Sequence, residues 1–262
     1  MADIAARYRA ELDAMTGLHD AVVAMMSAGS WTIRRRGLNS AVIQTIIGLM
    51  TKACKTFRAV QILCERGLIQ DANALTRVLM ETYVAIAFIL QSKSGERVMI
   101  YNAHSIAQDI KMLNEWKNTP GLKRKVTKGI LKQASEGLAT WTNRLPPGTD
   151  FSRHWSGKRN LQEAVKALRG DAMYATLYRF TSSMAHASDV GAHFEIDNAT
   201  DELIWQIEGG ARGFEAPSYA ARELLWNAAA RLNQRFGLSF SDLLAPHKIR
   251  KPYVGRDHVV SK

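Results

Sequence analysis

The sequence predicts a mainly α fold, a helical bundle with one β-hairpin near residues 192–208, on three observations. Apolar residues recur at intervals of three and four through most of the chain. Glycine and proline punctuate that pattern at the ends of helix-length segments. Only "AHFEIDNATDELIWQIEGG" alternates apolar and polar residues on both sides of a turn.

The first helix is expected from Asp3 to Ser27, closed by Gly29 and Ser30, and the second from Ser40 to Arg66, ended by Gly67. Asp71 to Gln91 makes a third, with Leu75, Leu79, Thr82, Ile86 and Ile89 on one stripe. Glu96 to Lys117 is a fourth, stopped by "NTPG", and Leu122 to Leu145 a fifth, stopped by "PPG". An irregular stretch, Pro146 to Arg159, precedes a short helix from Leu161 to Leu168 and a longer one from Asp171 to Ser188. After the hairpin, Pro217 opens a last helix, Ser218 to Phe236. No linker interrupts the series. A single helical domain is expected over residues 1–245, followed by a basic tail, 246–262.

Cys54 and Cys64 fall on one helix, ten residues and so about 15 Å apart, beyond disulfide reach. Neither belongs to a metal-binding spacing, and both read as small buried hydrophobes; no metal and no cofactor is expected. The longest apolar runs, Tyr83–Leu90 and Ala41–Met50, are shorter than the ~20 residues of a membrane span. The first residues mix acid and base without an apolar signal core, so a cytoplasmic protein is expected, with no membrane partner.

The net charge is +11 and the isoelectric point near 9.8. Basic residues concentrate at Arg34–Arg36, at Lys123, Arg124, Lys125, Lys128 and Lys132, at Arg153, Lys158 and Arg159, and at Lys248, Arg250 and Lys251. From Gly121 to Lys132 there is no acid. This balance favours a polyanionic partner, nucleic acid before a membrane surface.

Three segments carry candidate chemistry. Arg77 and Glu81 stand four apart on the third helix, either an intrahelical ion pair or a buried pair tying that helix to a neighbour. In "FSRHWSGKRN", Gly157 and Lys158 form a candidate anion nest flanked by Trp155 and Arg159. It lacks the GxxxxGK[ST] loop and follows no strand, which excludes a P-loop. In "YRFTSSMAHAS", seven residues of helix put Arg179 and His186 on one face, about 10 Å apart along it, with Ser182 and Ser183 between. Asp189 is placed to fix the tautomer of His186. A guanidinium, hydroxyls and an imidazole on one stripe suit a phosphate; the same stripe also reads as a polar seam whose serines bond back to the helix. His104 stands alone in "YNAHSIAQ" and reads as a surface or seam residue.

The order R-x-x-x-E (Arg77, Glu81), W-x-G-K (Trp155 to Lys158) and Y-x-x-x-S-x-x-x-H (Tyr178, Ser182, His186) resembles an uncharacterised family of bacterial and phage all-helical domains, over about residues 40–190. More distantly, the chain is similar to the HEPN superfamily of helical nucleotide- and RNA-binding domains. Many of these are metal-independent ribonucleases of toxin and phage-defence systems whose active site forms across a homodimer.

That resemblance implies an endoribonuclease in which Arg179, Ser182, Ser183 and His186 are catalytic. Tyr178, Trp155, Gly157, Lys158, Arg159, Lys123 and Arg124 would hold RNA, and Arg77, Glu81 and Asp189 would support them. Phe180 follows the arginine where active members usually carry a polar residue. The alternative expectation is a non-catalytic module that binds a nucleotide, a nucleic acid or a partner protein.

Overall fold

A computed structural model describes residues 2–28, 40–92, 95–123, 126–170, 194–197, 202–205 and 213–249, with single positions at 175 and 200. The described chain is mainly helical. In order it forms α1 (Ala2–Arg7), α2 (Arg9–Ala28), α3 (Ser40–Glu65), α4 (Ile69–Gln91), α5 (Glu96–Asn118), α6 (Lys128–Thr142) and α7 (Leu161–Ala167). Strands β1 (Phe194–Asp197) and β2 (Glu202–Trp205) follow, then α8 (Glu215–Phe236), α9 (Ser241–Leu244) and a 3-10 turn, Ala245–His247. The strands pair antiparallel with Phe194 opposite Trp205 and Asp197 opposite Glu202. The expected helix from Asp171 to Ser188 and most of the basic tail lie outside the described residues.

Packing divides the chain into two compact units, where the sequence reads as one domain over 1–245. The first comprises residues 1–30, 49–83 and 172–262, the second 31–48 and 84–171. Of the four crossings between them, those at 48/49 and 83/84 fall inside α3 and α4, where the helix runs through without a linker, and those at 30/31 and 171/172 fall outside the described residues.

In the first unit, α2 buries Leu12, Met15, Leu18, Val22 and Met25 at intervals of three and four, the stripe of an amphipathic helix. It packs against α8, which buries Ala221, Leu225, Ala228, Leu232 and Phe236 at the same period. Phe57 of α3 is fully buried and stacks on His19 of α2, ring centroids 6.3 Å apart. Beside it, buried Gln61 donates to Thr16 Oγ1 at 2.7 Å and to Leu12 O at 3.4 Å. Tyr8 stacks flat on Phe214, with centroids at 4.0 Å and planes 13° apart. The 3-10 turn closes on α2 at Gly17, where an added Cβ would meet the His247 ring at 3.0 Å. Trp226 Nε1–H donates to Leu244 O at 2.9 Å and fixes α9 to α8. Cys54 and Cys64 are free and buried, and burial pushes their thiols up to about 11 and about 12.

The second unit gathers the start of α3, the end of α4, α5, α6, α7 and the loop between α6 and α7. Val84 to Leu90 is buried at every position, as are Val98, Ile100 and Ala103 in α5. Asn102 of α5 donates to Thr45 Oγ1 of α3 at 3.0 Å. α6 starts at Lys128, not at Leu122: Thr127 is its N-cap and accepts from the Ile130 N–H, and Gly121 turns the chain at φ 85°. α7 is capped by Asn160, which accepts from the Glu163 N–H, while Glu163 Oε2 accepts from the Arg159 N–H.

α4 is long and apolar enough to cross a membrane by length and composition, although its uninterrupted apolar run, Tyr83–Leu90, is short. In the fold 67% of that window is buried within the chain, the setting of a core helix.

Candidate functional site

The second unit holds a cleft of about 440 Å3 between the start of α5 and the loop that carries the W-S-G-K turn. The end of α4 and the first turns of α5 give one wall, with Phe88, Ser92, Glu96, Arg97 and Ile100. Thr149, Asp150, Ser156, Gly157 and Lys158 give the other.

Arg97 is built into its place. Its guanidinium lies over the Phe88 ring, 3.9 Å from the centroid, and Nη1 donates to Phe88 O at 2.6 Å and to Gln91 Oε1 at 3.0 Å. Burial lowers its pKa, and neighbouring Glu96 acts in the opposite direction. A guanidinium remains charged under both influences. Among the described residues it makes no ion pair. Its position is also costly: a cation in the first turn opposes the helix dipole, by about 0.3–1 kcal/mol. Gly95, the α5 N-cap, has φ 75° and brings no capping side chain.

The facing turn is held by its tryptophan. Trp155 meets Phe88 and Tyr101 edge-on, at 5.9 Å each, and His154 at 4.7 Å, so the ring anchors the loop to α4 and α5 and does not line the cleft. Burial raises the Tyr101 pKa, so its phenol stays protonated there. Gly157 has φ 66°, and a Cβ on it would stand 3.4 Å from Ile100 and 3.5 Å from Asp150 O. The left-handed backbone favours the glycine of the motif, while the space beside it would admit a Cβ in ordinary contact.

The polar groups of the turn fix one another. Ser156 is buried; its Oγ accepts from the Lys158 N–H at 3.2 Å and lies 2.7 Å from His154 Nδ1. The Ser156 N–H points at the same nitrogen, at 3.4 Å. Nδ1 therefore accepts, the Ser156 hydroxyl donates to it, and the His154 proton sits on Nε2. His104 has the other tautomer, because its Nδ1 is 2.8 Å from Phe151 O, which can only accept. The two rings lie 6.5 Å apart. His104 is thus no isolated surface residue but part of the support of this loop.

Burial, then the His104 charge, lowers the His154 pKa to about 4. The unfolded chain binds this proton near pH 6.5 and the folded chain does not, so stability falls as pH drops from about 6.5 to about 4. After discounting for partial exposure the loss is about 2 kcal/mol. Urea titrations at pH 7.5 and pH 4 should show it, and His154→Asn should flatten that pH dependence by the same amount.

Asp150 is exposed; its pKa is lowered by hydrogen bonds from the Ser152 hydroxyl and N–H, and it pairs with Arg153 at 3.3 Å. Lys158 and Arg159 are exposed, and Lys158 has no ion pair among the described residues. Of the residues expected from sequence, the cleft thus brings together Gly157 and Lys158 and sets Trp155 behind them. Lys123 is exposed beyond the end of α5 and is not in the cleft.

Arg77 Nε bonds Glu81 Oε1 at 3.3 Å within α4, in the first unit, with Arg77 largely covered and Glu81 open. That is the intrahelical pair, not an ion pair sealed in a core. Arg124, Tyr178, Arg179, Ser182, Ser183, His186 and Asp189 lie outside the described residues, as does Phe180. Among the described residues no three His, Cys, Asp or Glu side chains group as metal ligands. Sequence reasoning missed Arg97 and Phe88. The signal for Arg97 was its place in the first turn of a helix, where an arginine is unfavourable unless it serves something else.

No curated protein and no solved structure matches the chain. A family model matches residues 44–202, more than half of the length and the whole of the loop that builds this cleft. The R-x-x-x-E, W-x-G-K and Y-x-x-x-S-x-x-x-H motifs all fall within that span, and the chain belongs to DUF5677, a family of unknown function.

Proposed function

We propose that this protein binds RNA, seating a phosphate in the cleft between Arg97 and Lys158. The observation that carries this reading is Arg97, a guanidinium clamped over Phe88 at the α5 N-terminus with no carboxylate paired to it among the described residues. Glu96 and Asp150 share the cleft, so it does not favour every anion. Mixed charge suits a ligand that has a phosphate and hydrogen-bond donors together, as a nucleotide has in its exocyclic amines and ribose hydroxyls. The net charge of +11 supports a nucleic acid over a small metabolite.

A second reading, RNA cleavage, is favoured by the spacing of Arg179 and His186 and by the similarity to HEPN ribonucleases. In it His186 takes the proton of a ribose 2′-hydroxyl, whose oxygen attacks the adjacent phosphorus. The bond from phosphorus to the 5′-oxygen breaks, that oxygen leaves with the proton returned by His186, and a 2′,3′-cyclic phosphate remains. Arg179 stabilises the charge on the phosphorane oxygens, and Ser182 and Ser183 orient them.

One experiment separates the two. A 5′-labelled RNA is incubated with the wild type and with His186→Ala and Arg179→Ala, and both retained complex and cleaved product are measured. Binding without product in all three supports the binding module. Product lost by at least a hundredfold in both variants, with binding kept, supports the ribonuclease. RNA that is neither bound nor cut by the wild type overturns both.

A further inference from the structure

From His104 to Trp155 no described residue is buried, yet most of this length is regular helix. α6 packs chiefly against α5, and among the described residues neither it nor the second half of α5 contributes to a core. Ile106 lies 3.6 Å from where a Cβ on Gly137 would stand, which sets the register of the two helices. As α6 returns along α5 after the turn at 119–127, ten residues outward from each contact, about 15 Å, bring Trp116 level with Thr127. Trp116, Lys117, Lys123 and Lys128 therefore gather at the same end of the helical hairpin.

The chemistry of that end is one-sided. From Trp116 to Ser135 there are six basic residues and no acid. Lys117, Lys123, Lys128 and Lys132 are exposed, and among the described residues the one ion pair of this stretch, Lys132 with Glu136 at 3.8 Å, is solvent-exposed and worth little. Trp116 is 39% exposed at the same end of the hairpin, with Met112 and Ile130 also open.

Resting on the RNA reading above, we infer that the end of the α5–α6 hairpin is a second RNA-binding element, separate from the cleft. It takes single-stranded RNA, with Lys123, Lys128 and Lys132 on the phosphates and Trp116 stacked on a base. The charge complements a phosphate backbone, and an isolated exposed indole offers a base one flat face. A membrane surface would be met by a longer apolar stripe than the i,i+4 pair of Met112 and Trp116 with Ile130 makes.

The test uses the full chain and a fluorescein-labelled 20-nucleotide uridine RNA, with binding followed by anisotropy over a salt series. In K123Q/K128Q/K132Q, the slope of log affinity against log salt is expected to fall by about 2, at about 0.7 per lost contact on a single strand. Trp116→Leu weakens binding about tenfold with the slope unchanged, and Trp116→Phe restores most of it. Uridine monophosphate, too short to reach the hairpin end, binds all these variants as it binds the wild type, whereas Arg97→Ala weakens both ligands. An unchanged slope in the triple variant, or equal loss of both ligands, overturns the hairpin element alone. Binding of these variants to phosphatidylserine vesicles reduced in place of RNA binding also overturns it. Failure of the wild type to bind either ligand overturns the cleft as well.

Discussion

Arg97→Ala is expected to weaken RNA binding about 30-fold, the equivalent of about 2 kcal/mol for a charge-assisted hydrogen bond to phosphate. Its effect on stability should be small and is a balance of two opposed contributions. Truncation loses the stack on Phe88 and the bonds to Phe88 O and Gln91, and it also removes a cation from the wrong end of the α5 dipole. The net change in unfolding free energy should stay within about 1 kcal/mol. Arg97→Lys keeps the charge but loses the planar fork held on the ring, and about a tenfold loss of affinity should remain. Anisotropy and urea denaturation on the same samples check both halves. Wild-type affinity in Arg97→Ala, or affinity lost only in step with unfolding, would remove the cleft from the functional account.

The largest loss of stability is expected from Phe214→Ala, at about 3–5 kcal/mol. Phe214 is completely buried, directly precedes α8, and stacks flat on Tyr8 between α1 and α2. Removing the ring leaves a cavity in the first unit and uncovers Tyr8, whose pKa is raised by burial and by nearby Glu215. Against a total stability of about 5–15 kcal/mol this is a large fraction, and the melting temperature should fall by about 10 °C. Phe214→Leu should recover more than half. Since Phe214 is in the first unit and the cleft in the second, any RNA binding measured well below the new melting temperature should be unaltered.

The helices were legible where burial is one-sided. α2, α3 and α8 repeat apolar residues at three and four because one face of each is covered, and period and burial then agree. α6 was misjudged at its start because Leu122 to Val126 contains no residue that forbids a helix; the signal was Thr127, a capping residue followed by an apolar residue three positions on. Two of the four crossings between the units run through the middle of α3 and α4, where an unbroken apolar period hides them. Within the site, Gly157 and Lys158 were readable from the turn chemistry of the motif. Trp155 was assigned to the ligand because an aromatic beside a glycine turn looks the same whether it stacks on a base or on Phe88 and Tyr101. The tautomers of His104 and His154 depend on a carbonyl at Phe151 and a hydroxyl at Ser156, contacts that no spacing encodes.

The shared helices also bear on what the family boundary means. The matched span opens within α3 and closes within β2, so it contains Phe57 and Gln61 but not the His19, Thr16 and Leu12 that cover them. In this chain the matched span taken alone would leave the Phe57 ring and the Gln61 amide without those covers, so the stability of the family segment here is borrowed from a helix that precedes it.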